Sequence, residues 1–358
     1  MMATIKDIAK KANVSPATVS YVLNNSAQIS PETRERVLKA AQELNYQPNN
    51  LAKSLRKKKS MTIGVIAEDI TVFSAPEIID GINRYLEEKG YHIILNNLRL
   101  VKKVGNNYSK VIEHLEEIKK SIEVLLTRQV EGMIYIGFHM RDVAPFIKGI
   151  KIPIVCTYCY SSLGHISVNC DDYQGAYEVT KYLLENGHRK IGLITGPNDS
   201  LPSQERLKGF KDALSDFGVK LDNKLIRVGN WEYESGYENT MSILKENREV
   251  TAIFAMNDLM ACGVMDAAKE LGIKVPDQLS VVGFDDREFS YFHDPKLTTV
   301  KMPLDKMGEE AAKLILECIS GDKLICTEDE KEIRNLKLKC TVIERESVKK
   351  IHYSSNNL

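Results

Sequence analysis

No apolar run in this 358-residue chain approaches the roughly 18–20 residues that a membrane helix needs. Met1–Lys11 also lacks the apolar core of a signal peptide. The expected location is therefore the cytoplasm, with no membrane partner. Cysteine is sparse: seven residues, an odd number spread from Cys156 to Cys340, do not make a disulfide framework. Cys156-Thr157-Tyr158-Cys159 is a lone C-x-x-C with no second pair at zinc spacing. It closes the apolar run Ile152-Pro153-Ile154-Val155, so strand-end packing is favoured over a metal or redox role. No dinucleotide loop G-x-G-x-x-G, phosphate loop G-x-x-x-x-G-K-[ST], esterase elbow G-x-S-x-G or zinc helix H-E-x-x-H follows any strand. No catalytic constellation, metal site or cofactor is expected, and the chain reads as a non-enzyme.

Net charge is absent as well, but only in sum. Lysine plus arginine and aspartate plus glutamate both number 49. Residues 1–59 nevertheless hold eleven basic residues against four acidic ones, an excess that the remainder of the chain cancels. A basic head on an acidic body suggests that the head faces nucleic acid. An apolar fraction of 43% supports a real core, and the length suits a small module followed by a large α/β body.

The head has a legible order. Thr4 and Asp7 predict a capping box opening a helix with Ile5, Ile8, Ala9 and Ala12 on one face. Asn13-Val14 ends it. Ser15-Pro16 then caps a second helix with Val19, Val22 and Leu23 inward, leaving Thr18, Ser20, Tyr21 and Asn24 directed elsewhere. Ser30-Pro31 repeats the device before a third helix that buries Val37, Ala40, Ala41 and Leu44. Three short helices with a tight turn between the first two describe a helix-turn-helix, whose second helix enters the major groove. A generic three-helix bundle is the plainer alternative, and the basic excess speaks against it.

Ile8-Ala9-Lys10-Lys11-Ala12-Asn13-Val14-Ser15, Thr18-Val19-Ser20-Tyr21-Val22-Leu23-Asn24, and Tyr46-Gln47-Pro48-Asn49 through Leu55 then carry a likeness. On these motifs the chain resembles the LacI/GalR family of bacterial transcription regulators, over nearly its whole length. The resemblance implies a double-stranded DNA operator as partner. Thr4, Ser15, Pro16, Ala17, Thr18, Ser20, Tyr21, Asn24, Tyr46 and Asn49 would form the DNA face. It also implies a hinge helix from about Asn50 to Arg56, too short to persist alone, that folds when two copies pair. There Leu55 would wedge into the minor groove and Arg56 would hold phosphate; ordinary helix packing and a solvated linker are the plainer readings. The family's base-reading positions fall on Pro16 and Ala17, which offer only apolar contact. Discrimination should therefore shift to Tyr21, the hinge and DNA deformability.

From Met61 onward, apolar runs alternate with amphipathic stretches. Ile63–Ile66, Ile93–Leu95, Met133–Ile136 and Ile152–Val155 form one strand series. Ile191–Ile194, Ile226–Val228, Ala252–Ala255 and Leu279–Val282 form a second. Buried strands alternating with helices predict two doubly wound parallel-sheet lobes with a crevice at their carboxyl ends. The resemblance implies a periplasmic-binding-protein-like (type I) body closing on a small effector, expected to be a sugar. The predicted division is 1–59 for headpiece and hinge, then 60–358. Within the latter, 60–163 with 297–325 form the first lobe and 164–296 with 326–347 the second.

Candidate effector contacts carried over by the resemblance are Arg206, Asp285, Asn257 and Trp231, with Phe73 and Ser74 on the opposite rim. Met302 and Tyr158 occupy further family positions but depart from the polar residues found there in some members, which leaves the particular sugar open. Alternative roles are a core cap for Trp231, a helix cap for Asp285 and a surface ion pair for Arg206. His188, in a Gly-His pair common in the family, reads as structural. Residues 99–128 look long for the family, and Leu115, Ile118, Ile122 and Leu125 predict an extended helix, for core packing or a partner. No leucine heptads follow Glu344–Ser347, so a homodimer is expected. The function read from all this is an effector-responsive repressor binding a near-palindromic operator. The alternative is a cytosolic sugar-binding module with no regulatory DNA binding.

Overall fold

The computed structural model describes residues 3–24, 28–46, 60–105, 107–321 and 335–351. The chain divides into two compact units, Met1–Ser60 and Met61–Leu358. In the first, α1 spans Ile5–Ala12, α2 Pro16–Asn24 and α3 Pro31–Glu43. The capping box forms: the Thr4 hydroxyl accepts from the Asp7 amide, and the Thr4 amide donates to the Asp7 carboxylate at 2.8 Å. Asn13 ends α1 in the left-handed region at φ 53°, a conformation that Asn tolerates better than most residues. The amide of Thr18 donates to Ser15 Oγ and that of Thr33 to Ser30 Oγ, so both serine–proline starts act as expected. Ile8, Ala9, Ala12, Val19, Val22, Val37, Ala40 and Ala41 form the core, with Leu23 and Leu44 half-buried against it. The hinge expected at Asn50–Arg56 lies outside the described residues.

In the second unit the strands are β1 Thr62–Ala67, β2 His92–Asn97, β3 Gly132–Ile136, β4 Ile154–Thr157, β5 Ile166–Cys170 and β6 Ile191–Thr195. They continue with β7 Ile226–Val228, β8 Ala252–Ala255, β9 Ser280–Val282, β10 Thr299–Lys301, β11 Asn335–Leu338 and β12 Thr341–Ile343. One parallel sheet runs β11-β5-β4-β3-β1-β2 and another β7-β6-β8-β9, while β10 and β12 pair antiparallel. All eight expected strands are present, with β4 starting at Ile154 because Pro153 has no amide to donate.

The lobe boundaries need correction. β5 and β11, both assigned to the second lobe by sequence, pair with each other in the first sheet, Asn335 opposite Ser167. β5 is fully buried but alternates apolar with polar residues, so it lacks the continuous apolar run that marked the others. Its Asn169 is satisfied by donating to the Cys159 carbonyl and to Asn335 Oδ1. The chain therefore crosses to the second lobe only after Cys170. The final segment lies against the second sheet, Val281 donating to the Ser347 carbonyl.

Residues 99–128 form three pieces rather than one long helix: Val101–Val104, a 3₁₀ turn at Tyr108–His114 and a helix at Leu115–Thr127. Ile118, Ile122 and Leu125 of the last pack into the core beneath β1 and β3, with Leu115 at its margin. Elsewhere helices meet backbone to backbone. At Gly308, a Cβ would lie 2.1 Å from the Ile78 carbonyl oxygen of the facing helix Ser74–Glu88. Cys156 and Cys159 are buried; burial pushes the Cys159 thiol well up, and it points at the Tyr135 and Thr157 carbonyls. That is packing. Cys318, by contrast, is disulfide-bonded, a pairing the sequence did not signal. His188 spans Thr251 Oγ1 and the Lys349 carbonyl, fastening the terminal segment. Burial lowers its pKa to about 4.

Candidate functional site

Parallel strands end with their carbonyls and following loops pointing the same way, so side chains just beyond those ends converge. Phe73 follows β1, Tyr158 follows β4, Trp231 follows β7, Asn257 follows β8 and Asp285 follows β9. Together with Arg206, on the helix Leu201–Asp216, they line one cavity of about 290 Å³. Six of the eight predicted effector residues are thus brought together. Three of them hold backbone in the left-handed region: Tyr158 at φ 55°, Trp231 at 73° and Asp285 at 115°. Such strain in non-glycine residues costs about 1–3 kcal/mol each and collects at functional sites.

Arg206 is buried, which removes the surface ion-pair alternative. Its Nε donates to Asp172 Oδ1 at 2.8 Å, Nη1 lies 3.6 Å from Asp285 Oδ1 and also donates to the Met256 carbonyl, and the guanidinium lies 3.5 Å from the centre of the Phe284 ring. Burial opposes its charge, but Asp172 and Asp285 outweigh that and hold its pKa above the ordinary value. Asp285 is pushed up to about 7, by burial first and against the opposing pull of Arg206 and Arg287. The cavity wall therefore offers a fixed cation beside a carboxyl that can donate or accept.

Trp231 lies on Gly196, where a Cβ would sit 2.0 Å from its indole, and its Nε1 is buried without a partner. Asn257 does less than its position suggested. Its Oδ1 accepts from the Met260 amide as a helix cap, and its Nδ2 donates to the Trp231 carbonyl at 2.9 Å. It holds the tryptophan loop rather than presenting a free amide. Met302 and Ser74 are buried and do not line the cavity. Met302 Sδ lies 3.9 Å from Arg206 Nη2 and supports the guanidinium from behind.

Sequence reasoning missed Asp172, which anchors Arg206, and several wall residues, among them Tyr108, Phe138, His139 and Arg287. Tyr108 comes from the long 99–128 segment and stacks on His139, with centroids 3.9 Å apart and planes at 17°. Burial and then the nearby Arg141 depress the His139 pKa to about 4, leaving a neutral ring. Arg287 lies over the Phe73 ring at 5.1 Å. Behind the wall, Glu68 is buried and accepts from Tyr135 Oη, the Phe138 amide and Arg141. The nearest sequence signal was the excess length of 99–128. Nothing local marked Asp172.

On the head, Pro16, Ala17 and Tyr21 are exposed along α2, with Tyr21 47% accessible. The other predicted contacts carry structural duties. Thr4 and Ser15 cap helices, Thr18 Oγ1 meets Ser15 Oγ at 2.9 Å, and Asn24 donates to the Ser20 carbonyl. Tyr46 packs half-buried on the head core. Lys6, Lys10, Arg36 and Lys39 are exposed, whereas Lys11 pairs with Glu43 at 2.7 Å. Asn49, Leu55 and Arg56 lie outside the described residues.

Comparison with known proteins agrees with this two-part reading. Residues 4–49 match the family described as "Bacterial regulatory proteins, lacI family", and residues 180–348 a "Periplasmic binding protein-like domain". The HTH-type transcriptional repressor PurR of Vibrio vulnificus is 33% identical, over 98% of this chain and 100% of its own. PurR of Escherichia coli O1:K1 is 32% identical, over 97% of each. Among solved structures, the lac repressor dimer bound to operator and the anti-inducer ONPF aligns with a TM-score of 0.78 at 28% identity, covering 98% of this chain and 100% of that one. The transcriptional regulator CelR–cellobiose complex aligns at 0.65 and 28% identity, covering 96% and 99%.

Proposed function

The chain belongs to the lacI family of bacterial regulatory proteins, and we propose that this DNA-binding repressor acts as a homodimer whose operator affinity is switched by a sugar in the interlobe cavity. The observation that carries the sugar reading is the buried Arg206–Asp285 pair beside the Trp231 ring on one cavity wall. A guanidinium and a carboxyl held side by side suit vicinal hydroxyls, and an aromatic face suits the apolar side of a pyranose ring. The cellobiose held by CelR, a relative in fold and sequence, supports the same class. A flat heterocycle is the second reading, favoured by the rings of Phe73, Tyr108, Phe138 and Tyr158 around the cavity.

The head would bind two operator half-sites, with lysine and arginine supplying affinity and Tyr21 contributing discrimination. Leu55, assigned from sequence alone, would wedge into the minor groove between them. Ligand closure of the body favours one hinge geometry, so the effector must bind the two states unequally. Selection of bound duplexes from a random pool, with and without a panel of sugars and nucleobases, tests the whole reading. A palindromic consensus whose recovery changes with one sugar is expected. A consensus that responds to a nucleobase instead replaces the sugar, and sequence-blind, salt-insensitive binding removes the repressor. Leu55→Ala should weaken specific binding far more than non-specific binding; equal losses would remove the wedge.

A further inference from the structure

The chain leaves the body at Met61, the first residue of the second unit, and it does so through an uncommon backbone conformation. Met61 is left-handed at φ 52°, a geometry that a non-glycine residue keeps only where its surroundings impose it. Its carbonyl accepts from the His92 amide at 2.9 Å, and its amide donates to Glu131 Oε1 at 2.6 Å. Glu131 Oε2 accepts in turn from Tyr91 Oη at 3.3 Å. Burial, then the Glu131 charge, holds the Tyr91 pKa above its ordinary value, so the phenol keeps its proton to donate. A side-chain carboxylate thus takes the amide that stands just before the β1–β3 ladder begins, with Ile63 opposite Gly132. Glu131 is itself fixed: its amide donates to the Thr62 carbonyl at 2.9 Å, and a Cβ on Gly132 would lie 2.9 Å from Ile315 Cγ1.

The other end of β1 is tied down as well. Glu68 accepts from the Phe138 amide and Asp69 Oδ2 from the Val101 amide, each at 3.0 Å, and Phe138 and Val101 line the cavity. β1 therefore runs from the cavity wall to the left-handed residue at which the chain departs. From this we infer that Glu131 is a positioning residue for operator binding: by clasping the Met61 amide it fixes the path on which the chain leaves the body toward the DNA-binding head. A hydrogen bond to a charged acceptor is roughly twice as strong as a neutral one, which suits it to hold a backbone against its own preference. Without the clasp Met61 relaxes to a commoner conformation, and the departing chain gains freedom that specific binding must remove again. Phosphate contacts alone make no such demand, so sequence-blind binding is spared. Nothing in this depends on which ligand fills the cavity.

Binding of the full-length protein and its variants to a duplex selected from a random pool, and to an unrelated duplex at the same salt, tests this. Glu131→Ala should lower affinity for the selected duplex about tenfold and leave the unrelated duplex within about twofold. Glu131→Gln keeps an acceptor for the Met61 amide and should restore specific binding. Met61→Gly should bind as the parent does, because glycine takes positive φ without strain. Met61→Val should lose as much as Glu131→Ala, since a β-branched residue resists that conformation, and it serves if Glu131→Ala misfolds. Hydrogen exchange supplies the local readout: the Met61 amide should exchange slowly in the parent and in Glu131→Gln, and fast in Glu131→Ala. An unchanged ratio of specific to non-specific binding in Glu131→Ala and Met61→Val would overturn the assignment. So would equal losses in Glu131→Ala and Glu131→Gln, which would make the charge rather than the clasp responsible. A Met61 amide that exchanges fast in the parent would overturn it too.

Discussion

The head and the body place their polar side chains in opposite ways. In the head, each helix start is settled within three or four residues: Thr4 with Asp7, Ser15 with Thr18, Ser30 with Thr33. Its core is eight residues, four of them alanine, and its outward helix shows proline, alanine and tyrosine. In the body, the decisive polar groups are buried and come from distant parts of the chain: Asp172 after β5, Arg206 after β6 and Asp285 after β9. The head's stability is local and its surface is left free for a partner. The body's stability is tied to the same charges that face the cavity, so a ligand meeting Arg206 or Asp285 also touches what holds the second lobe to its crossover strands.

Removing Arg206 should break this contrast most severely. Arg206→Ala leaves Asp172 and Asp285 buried without their cation, at a cost of about 3–5 kcal/mol. Denaturant unfolding of the full chain should show the loss in the body's transition, with the head's transition unmoved and the ligand response gone. Equal stability of variant and parent would mean that the pair is solvated and that the body is no different from the head.

Acidification should give the next largest effect, and only in the body. Asp285, pushed up to about 7, loses its carboxylate as pH falls through that value. If hydroxyls donate to it, ligand affinity falls about tenfold per unit below pH 7. The groups facing Asp285 are Arg206, Arg287, Asp172, Asp258 and Tyr158, whose pKa is pushed well up, by burial first. Arg206 is held above its ordinary value by Asp172 and Asp285, and burial with the Asp285 charge raises Asp258 well above the ordinary carboxylate range. His139, at about 4, stays neutral. Folding has the opposite sign: a raised carboxyl stabilises the folded form at low pH, and that contribution is lost as pH rises through about 7. Asp285→Asn should flatten the binding profile in calorimetric titrations at pH 5.5–8. A slope that survives the substitution assigns the proton to another group.

The smallest effect belongs to the head. Thr4→Ala removes one cap and should cost about 1 kcal/mol, read as a lower melting point for the first unit. Ligand affinity should be untouched. A cap change that altered the ligand response would show the two units to be less separable than their core residues suggest.

The same contrast explains what could be read without coordinates. Caps, turns and strand runs are written in adjacent residues, so the three head helices and eight of the body's strands were legible. β5 escaped because Ser167 and Asn169 interrupt its apolar run, and with it went the lobe boundary. In the site, Arg206, Asp285, Trp231, Tyr158 and Phe73 came through family resemblance, not through any local signal. Their partner Asp172 sits in an ordinary helix start, and Tyr108 in a segment whose length was noticed but whose use depends on a stack with His139, about thirty residues away. Asn257 was found for the wrong reason, since its amide holds the Trp231 loop. Convergence of distant loops is a property of the sheet: the strand–helix alternation places a crevice at the carboxyl ends, but not which side chains reach it.

The central claim is that one ligand in the body governs the head's grip on DNA. The direct measurement is the affinity for a selected operator duplex, at fixed salt, with and without the sugar that changes Trp231 fluorescence, together with that sugar's affinity with and without the duplex. Both affinities should change, and by the same factor. A sugar that saturates the body while operator affinity stays constant would contradict it.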